Sequence, residues 1–128
     1  LIFGYGVGLD LTRRDLQAQA KKKGHPWDVA KAFDHSAPVS ALRRAAEATP
    51  GAGTVLRLEV NGEQRQQTTL EHMLHGVPQI IAALSRLFEL KAGDLIFTGT
   101  PAGVAALQRG DRFHAELVDV AELDGRIV

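Results

Sequence analysis

The chain has 128 residues, the length of one domain, and at that size folding buries roughly two thirds of the surface an unfolded chain exposes. Its 45% hydrophobic and 23% charged residues exclude a disordered or fibrous chain, and no apolar run is long enough to span a bilayer. Fifteen Lys plus Arg cancel fifteen Asp plus Glu, which argues against a nucleic-acid or anionic-membrane binder, and zero Cys excludes a disulfide framework, a thiolate metal site and a Cys nucleophile.

The chain opens on Leu1-Ile2-Phe3 inside an apolar segment, with no Met, no charged leader and no small-residue cleavage pattern. The expectation is a strand that starts at residue 1, no signal peptide, and a piece of a longer protein cut near a structural boundary. The lack of Cys fits a cytoplasmic location. Residues 2 to 11 mix Gly with Tyr, Val and Leu and read as a strand whose glycines let neighbouring backbone approach closely. Thr12 followed by Asp15 resembles a capping box, and Lys21 to Lys23 before Gly24 suit a helix C-terminus, so a helix is expected over about 13 to 23.

From Gly24 to Ser40, His25-Pro26-Trp27 and Ala37-Pro38-Val39 interrupt any periodicity and predict a long loop that carries an isolated Lys31. Residues 41 to 49 suggest a short helix. Leu56, Leu58 and Val60 alternate with charged residues, and Asn61-Gly62 predicts a half-exposed hairpin that returns through Glu63 to Gln67. Val77, Ile80, Ile81, Leu84, Leu87 and Phe88 share one helical face behind Gly76, with Pro78 in the first turn. Leu95 to Phe97 reads as a short strand that enters the Thr98-Gly99-Thr100-Pro101 turn. Arg109-Gly110-Asp111 marks a turn before a strand over Phe113 to Val120, and Asp124-Gly125 suggests a closing hairpin. Strands dominate beside two main helices, so the fold class is α+β, strand-rich, in one domain.

Five positions invite chemistry. Asp10, at the end of an apolar strand, either bonds backbone amides or ligates a hard divalent cation through oxygen. Arg14 and Gln17 share a helix face, where they suit an anion at the helix N-terminus or a surface salt bridge. Lys31, near Trp27 and Phe33, either polarises a carbonyl or is an ordinary solvated loop residue. Thr100 lies in a turn that either lines a ligand or is only a turn. His72 and His75 have the spacing of a shared face but read as surface or partner-contacting residues, and no G-x-S-x-G elbow supports a serine nucleophile.

Four stretches in order resemble the fumarylacetoacetate hydrolase (FAH) family, closest to its acylpyruvase, FAH domain-containing branch. They are Gly4 to Gln17, Lys21 to Phe33, Val60 to Gln66 and Gly93 to Val104. Arg43 to Gly53 and the stretch after the Thr98–Pro101 turn depart from the pattern. The resemblance covers nearly the whole chain and implies the C-terminal part of a catalytic domain over residues 1 to 128, with a mixed β-sandwich or β-roll. It implies Asp10 as a ligand of Mg2+, with Mn2+ or Ca2+ as alternatives, and Arg14, Gln17, Lys31 and Thr100 around a pyruvate-like keto acid. Lys31 would stabilise the enolate. Two further glutamate ligands and a His-Glu pair that activates water would lie upstream, in a segment this chain lacks. The implied activity is hydrolysis of a C–C bond in acylpyruvates by a cytoplasmic homodimer, with no nucleic-acid or membrane partner. Tautomerisation or decarboxylation of related keto acids uses the same enolate, and a non-catalytic assembly module is the alternative of another class.

Overall fold

The structure, a computed structural model, describes residues 2 to 128. Leu1, where the first strand was expected to start, lies outside the described residues. The elements in chain order are β1 (Gly4–Tyr5), α1 (Arg14–Lys23), α2 (Asp28–Lys31), β2 (Arg43–Arg44), β3 (Val55–Val60), β4 (Glu63–Thr69), α3 (Val77–Leu84), β5 (Arg112–Leu117) and β6 (Ala121–Arg126). Two antiparallel sheets form, β1-β2 and β4-β3-β5-β6, so the fold is α+β and strand-rich. No helix of the described residues is long and apolar enough to cross a membrane.

The core lies on one face of the larger sheet. In β5 burial alternates with period two, so Phe113, Ala115 and Leu117 point inward while Arg112, His114 and Glu116 face out. Val7, from the segment after β1, joins Ala115, Leu117 and Val120 in the buried cluster, and Leu56, Leu58 and Leu123 pack around them.

Residues 2 to 11 are less regular than a ten-residue strand. Only Gly4–Tyr5 pairs as a strand, against Arg44 and Arg43, followed by an isolated bridge between Gly8 and Val39. The close approach expected of its glycines is present, since a Cβ on Gly4 would collide with the Arg43 carbonyl oxygen. That pairing also overturns the helix expected over 41 to 49. Ala, Leu, Arg and Glu favour a helix there, but Arg43–Arg44 is claimed as a β-partner by a distant segment, and only one turn follows, with Glu47 N and Ala48 N both bonded to Arg44 O. Likewise Leu95 to Phe97 forms no strand with any described residue, and Leu95 and Phe97 stay exposed.

The Asn61-Gly62 hairpin forms as expected, with φ of 54° and 80° at the two turn residues. Its tip is pinned to the Arg109-Gly110-Asp111 turn, where Asp111 accepts from Asn61 Nδ2 at 2.9 Å and Gln108 N at 2.8 Å. Those donors hold the Asp111 carboxyl below its ordinary value of 3.8, the Gln108 amide contributing most. The closing hairpin, by contrast, turns at Val118–Val120 with Asp119 at φ 62°, not at Asp124-Gly125. Asp tolerates the left-handed region. Gly125 sits inside β6 opposite Phe113, whose ring occupies the space a Cβ would need. The glycine that resembled a turn is there for packing.

α1 ends as expected, on three lysines and Gly24 in the left-handed region at φ 65°. Its start differs. Arg13 is the N-cap with no side-chain cap, and the Thr12 hydroxyl instead donates to Asp10 O at 3.4 Å. α3 begins at Val77 with Pro78 in its first turn, and Gly76 N donates to Gln79 Oε1 at 2.9 Å. Its apolar face continues through a turn at Leu87 and Phe88, both exposed.

On the outer face of β5 and β6, His114 Nδ1 lies 2.9 Å from Asp124 Oδ1, and the two residues are direct cross-strand partners. This contact is the main reason the imidazole pKa rises above its ordinary 6.5, against a smaller opposing effect of burial. A raised folded pKa gives stability that is full below the unfolded value and lost as pH climbs through the folded one. In melting curves of the full-length protein, His114→Gln therefore costs stability at pH below 6.5, and the gap to wild type closes as the pH rises. A gap that widens with pH would contradict the pairing.

Candidate active site

Backbone pairing sets the first side of the site. Leu9 N donates to Pro38 O at 3.0 Å and Leu11 N to Ser36 O at 2.8 Å, so Asp10 is held between two bonded neighbours. Arg13 N donates to Ala30 O at 3.0 Å, which ties the start of α1 to α2. Ala30 is fully buried, and this anchors the single turn of α2 against the site. Lys31 is therefore the last residue of a short helix rather than part of a loop without structure. Its Nζ lies 2.7 Å from Asp10 Oδ2. The Asp10 carboxylate thus meets an ammonium, and the Lys31 ammonium is paired while still partly open to solvent.

Arg13 and Arg14 diverge. The Arg13 guanidinium stacks over the Phe33 ring at 4.4 Å from its centre, leaving Arg14 to face the cavity. Arg14 Nη1 donates to Gln17 Oε1 at 3.3 Å and pairs with no carboxylate among the described residues. Gln17 thus braces Arg14 and does not itself line the cavity.

Asp10, Arg14, Lys31 and Thr100 line one cavity of about 570 Å3 whose apolar wall includes Leu58 and Phe97. Arg14, Lys31 and Arg65 border it beside a single carboxylate, Asp10, while Arg57 turns its guanidinium to Glu116 on the outer face of the sheet at 2.6 Å. Lys31 pairs with Asp10 and Arg65 lies 3.5 Å from Glu63, so Arg14 is the cation of this cleft without a carboxylate partner among the described residues, and between apolar walls it favours an anionic ligand. Residues of this kind can hold a carboxylate, donate to a carbonyl oxygen and stabilise negative charge that develops beside Lys31.

A divalent cation is only partly provided for. Asp10 can give a carboxylate oxygen, but among the described residues no three His, Cys, Asp or Glu side chains come together. The residues present therefore do not complete a coordination set. His72 and His75 do not form one either; both are exposed, and His72 Nδ1 lies 3.0 Å from Thr69 Oγ1.

Sequence reasoning missed two residues of the site, Arg65 and Gln66, both on the cavity wall. They stand in the Val60 to Gln66 stretch, yet alternation along β4 would send them to opposite faces. A second hollow of about 560 Å3, near Leu84, Phe88 and Phe97, contains none of the candidate residues.

A family model described as the fumarylacetoacetate (FAA) hydrolase C-terminal domain matches residues 1–128. An oxaloacetate tautomerase of Escherichia coli is 56% identical over 111 residues, which is 86% of this chain and 51% of that protein. A fumarylpyruvate hydrolase of a Ralstonia species is 41% identical over 128 residues, 96% of this chain and 64% of that protein. The crystal structure of fumarylpyruvate hydrolase from Pseudomonas aeruginosa in complex with Mn2+ and pyruvate superposes with a TM-score of 0.94 at 44% identity, covering 98% of this chain and 54% of that one. The chain spans roughly half to two thirds of the length of these relatives.

Proposed function

The chain belongs to the fumarylacetoacetate hydrolase family, matched over residues 1–128, and from that premise we propose that it is the C-terminal part of a catalytic domain acting on acylpyruvate-type keto acids, with release of pyruvate. The observation that carries this reading is the convergence of Asp10, Arg14, Lys31 and Thr100 on one cavity, with Lys31 Nζ 2.7 Å from Asp10 Oδ2.

Each side chain has a role in this reading. The Arg14 fork, held by Gln17, takes the substrate carboxylate. The Thr100 hydroxyl and the Lys31 ammonium face the keto oxygen. When the C–C bond breaks, its electron pair passes to the pyruvate fragment as an enolate, and Lys31 stabilises the charge on that oxygen. Asp10 holds the ammonium in place and offers one oxygen to a divalent cation, Mg2+ or Mn2+, whose other ligands would come from outside these 128 residues. Such a cation supplies Lewis-acid polarisation of the keto acid. The base that activates water for attack on the distal carbonyl would also lie outside them. Support for the metal comes from the Mn2+ and pyruvate of the Pseudomonas aeruginosa relative.

A second reading, tautomerisation of oxaloacetate, is favoured by the 56% identity to the Escherichia coli tautomerase. It needs the same enolate and the same Lys31 but no water attack. The full-length protein decides between them in two assays, pyruvate release from acetylpyruvate and decay of enol absorbance with oxaloacetate. We expect pyruvate release that chelator abolishes and Mg2+ or Mn2+ restores. Enol decay without pyruvate release selects the tautomerase, and turnover that survives chelation removes the metal from the site.

A further inference from the structure

Arg65 and Gln66 are neighbours in β4, and both line the cavity. The register explains how. Leu58 lies opposite Gln66 while Glu59 lies opposite Gln64, so Arg65 is the extra residue of a bulge. A bulge breaks the alternation and re-aims the side chains around it. Here it directs Gln66 toward the loop that follows Phe97.

That loop is bonded to one amide. Gln66 Nε2 lies 2.8 Å from Thr100 Oγ1, 2.8 Å from Pro101 O and 3.5 Å from Ala102 O. Pro101 O and Ala102 O can only accept, so chemistry requires the amide nitrogen to face the loop. An NH2 group has only hydrogens to give, and the Thr100 oxygen therefore accepts from it. The hydroxyl hydrogen of Thr100 remains, and no partner among the described residues takes it. Backbone contact fixes the loop at a second point. Gly103 has φ 98°, and a Cβ there would collide with the Arg65 carbonyl oxygen, so the loop lies directly on the bulge.

We propose that Gln66 is a positioning residue that fixes the direction of the Thr100 hydroxyl: it takes up the acceptor role of Oγ1 and leaves the O–H as a donor into the cavity. The inference rests on the keto-acid reading of that cavity. A donor held in this direction matches a carboxylate, carbonyl or enolate oxygen and opposes a ligand that presents N–H or ammonium groups there.

The test is a cycle of variants in the full-length protein, read by KM and kcat for the keto acid and by the inhibition constant of pyruvate. Thr100→Val keeps the shape and removes the donor. Gln66→Glu keeps the length and offers only acceptors, so the Thr100 hydroxyl turns toward it and away from substrate. Each single variant is expected to raise KM and weaken pyruvate about tenfold, with a smaller change in kcat, because the lost bond reaches a charged ligand. The double variant should be no worse than Thr100→Val alone, since the two residues act through one hydrogen. Gln66→Met, which neither donates nor accepts strongly, carries the same cycle with a loss of about threefold should Gln66→Glu fail to fold.

The outcomes separate the two levels. An unaffected Thr100→Val overturns the placement of Thr100 in a keto-acid site. A weakened Thr100→Val beside unaffected Gln66 variants, or losses that multiply in the double variant, overturns the positioning role of Gln66.

Discussion

Replacing Lys31 with Met in the full-length protein should lower kcat about 100-fold or more while KM changes less. In the proposed reaction the ammonium lies beside charge that exists only as the C–C bond breaks, so its removal would withdraw stabilisation from the transition state. Met keeps most of the unbranched stem and loses the charge. The Lys31–Asp10 pair is partly solvated, with side-chain exposures of 33% and 58%, so its own contribution to folding is only about 0 to 1 kcal/mol. A thermal melt should therefore move little. Steady-state kinetics distinguish three results: a fall in kcat supports enolate stabilisation, a rise in KM with kcat unchanged assigns Lys31 to ground-state anchoring, and activity within a few-fold of wild type removes it from the site.

Asp10→Asn should weaken binding of Mg2+ or Mn2+ by the full-length protein about tenfold or more and lower kcat about 100-fold at subsaturating metal. The amide keeps the shape of the carboxylate but loses the charge that a hard cation selects. It also leaves Lys31 without its partner at 2.7 Å. Calorimetric titration with the metal alone reads the first effect without reference to turnover. Unchanged metal affinity with reduced kcat would make Asp10 a positioning residue for Lys31 and nothing more. In the double variant with Lys31→Met the losses should not simply multiply, because the two groups are in contact.

Local chemistry was legible in the sequence by itself. The Asn61-Gly62 hairpin, the lysine and glycine end of α1 and the Gly76-Val77-Pro78 start of α3 all depend on backbone dihedrals or helix-end charges that a few adjacent residues set. The five site candidates were also legible, through the order of their motifs, although spacing alone left each with an ordinary alternative. Only the tertiary structure brought four of them, Asp10, Arg14, Lys31 and Thr100, to one cavity. Lys31 reaches Asp10 because a buried Ala30 and a bond from Arg13 N dock α2 against α1, and nothing local to either residue encodes that contact. Arg43–Arg44 is a strand because Gly4–Tyr5 needs a partner, which overrides the helix propensity of its neighbours. Asp124-Gly125 looks like a turn in sequence and is strand because the Phe113 ring takes the space beside it. Gln66 enters the cavity because one extra residue, Arg65, reverses the alternation of β4. Short-range dihedral preferences are properties of the residues that hold them, whereas strand pairing, bulge position and ion pairs between elements are settled by the free energy of the whole packed chain.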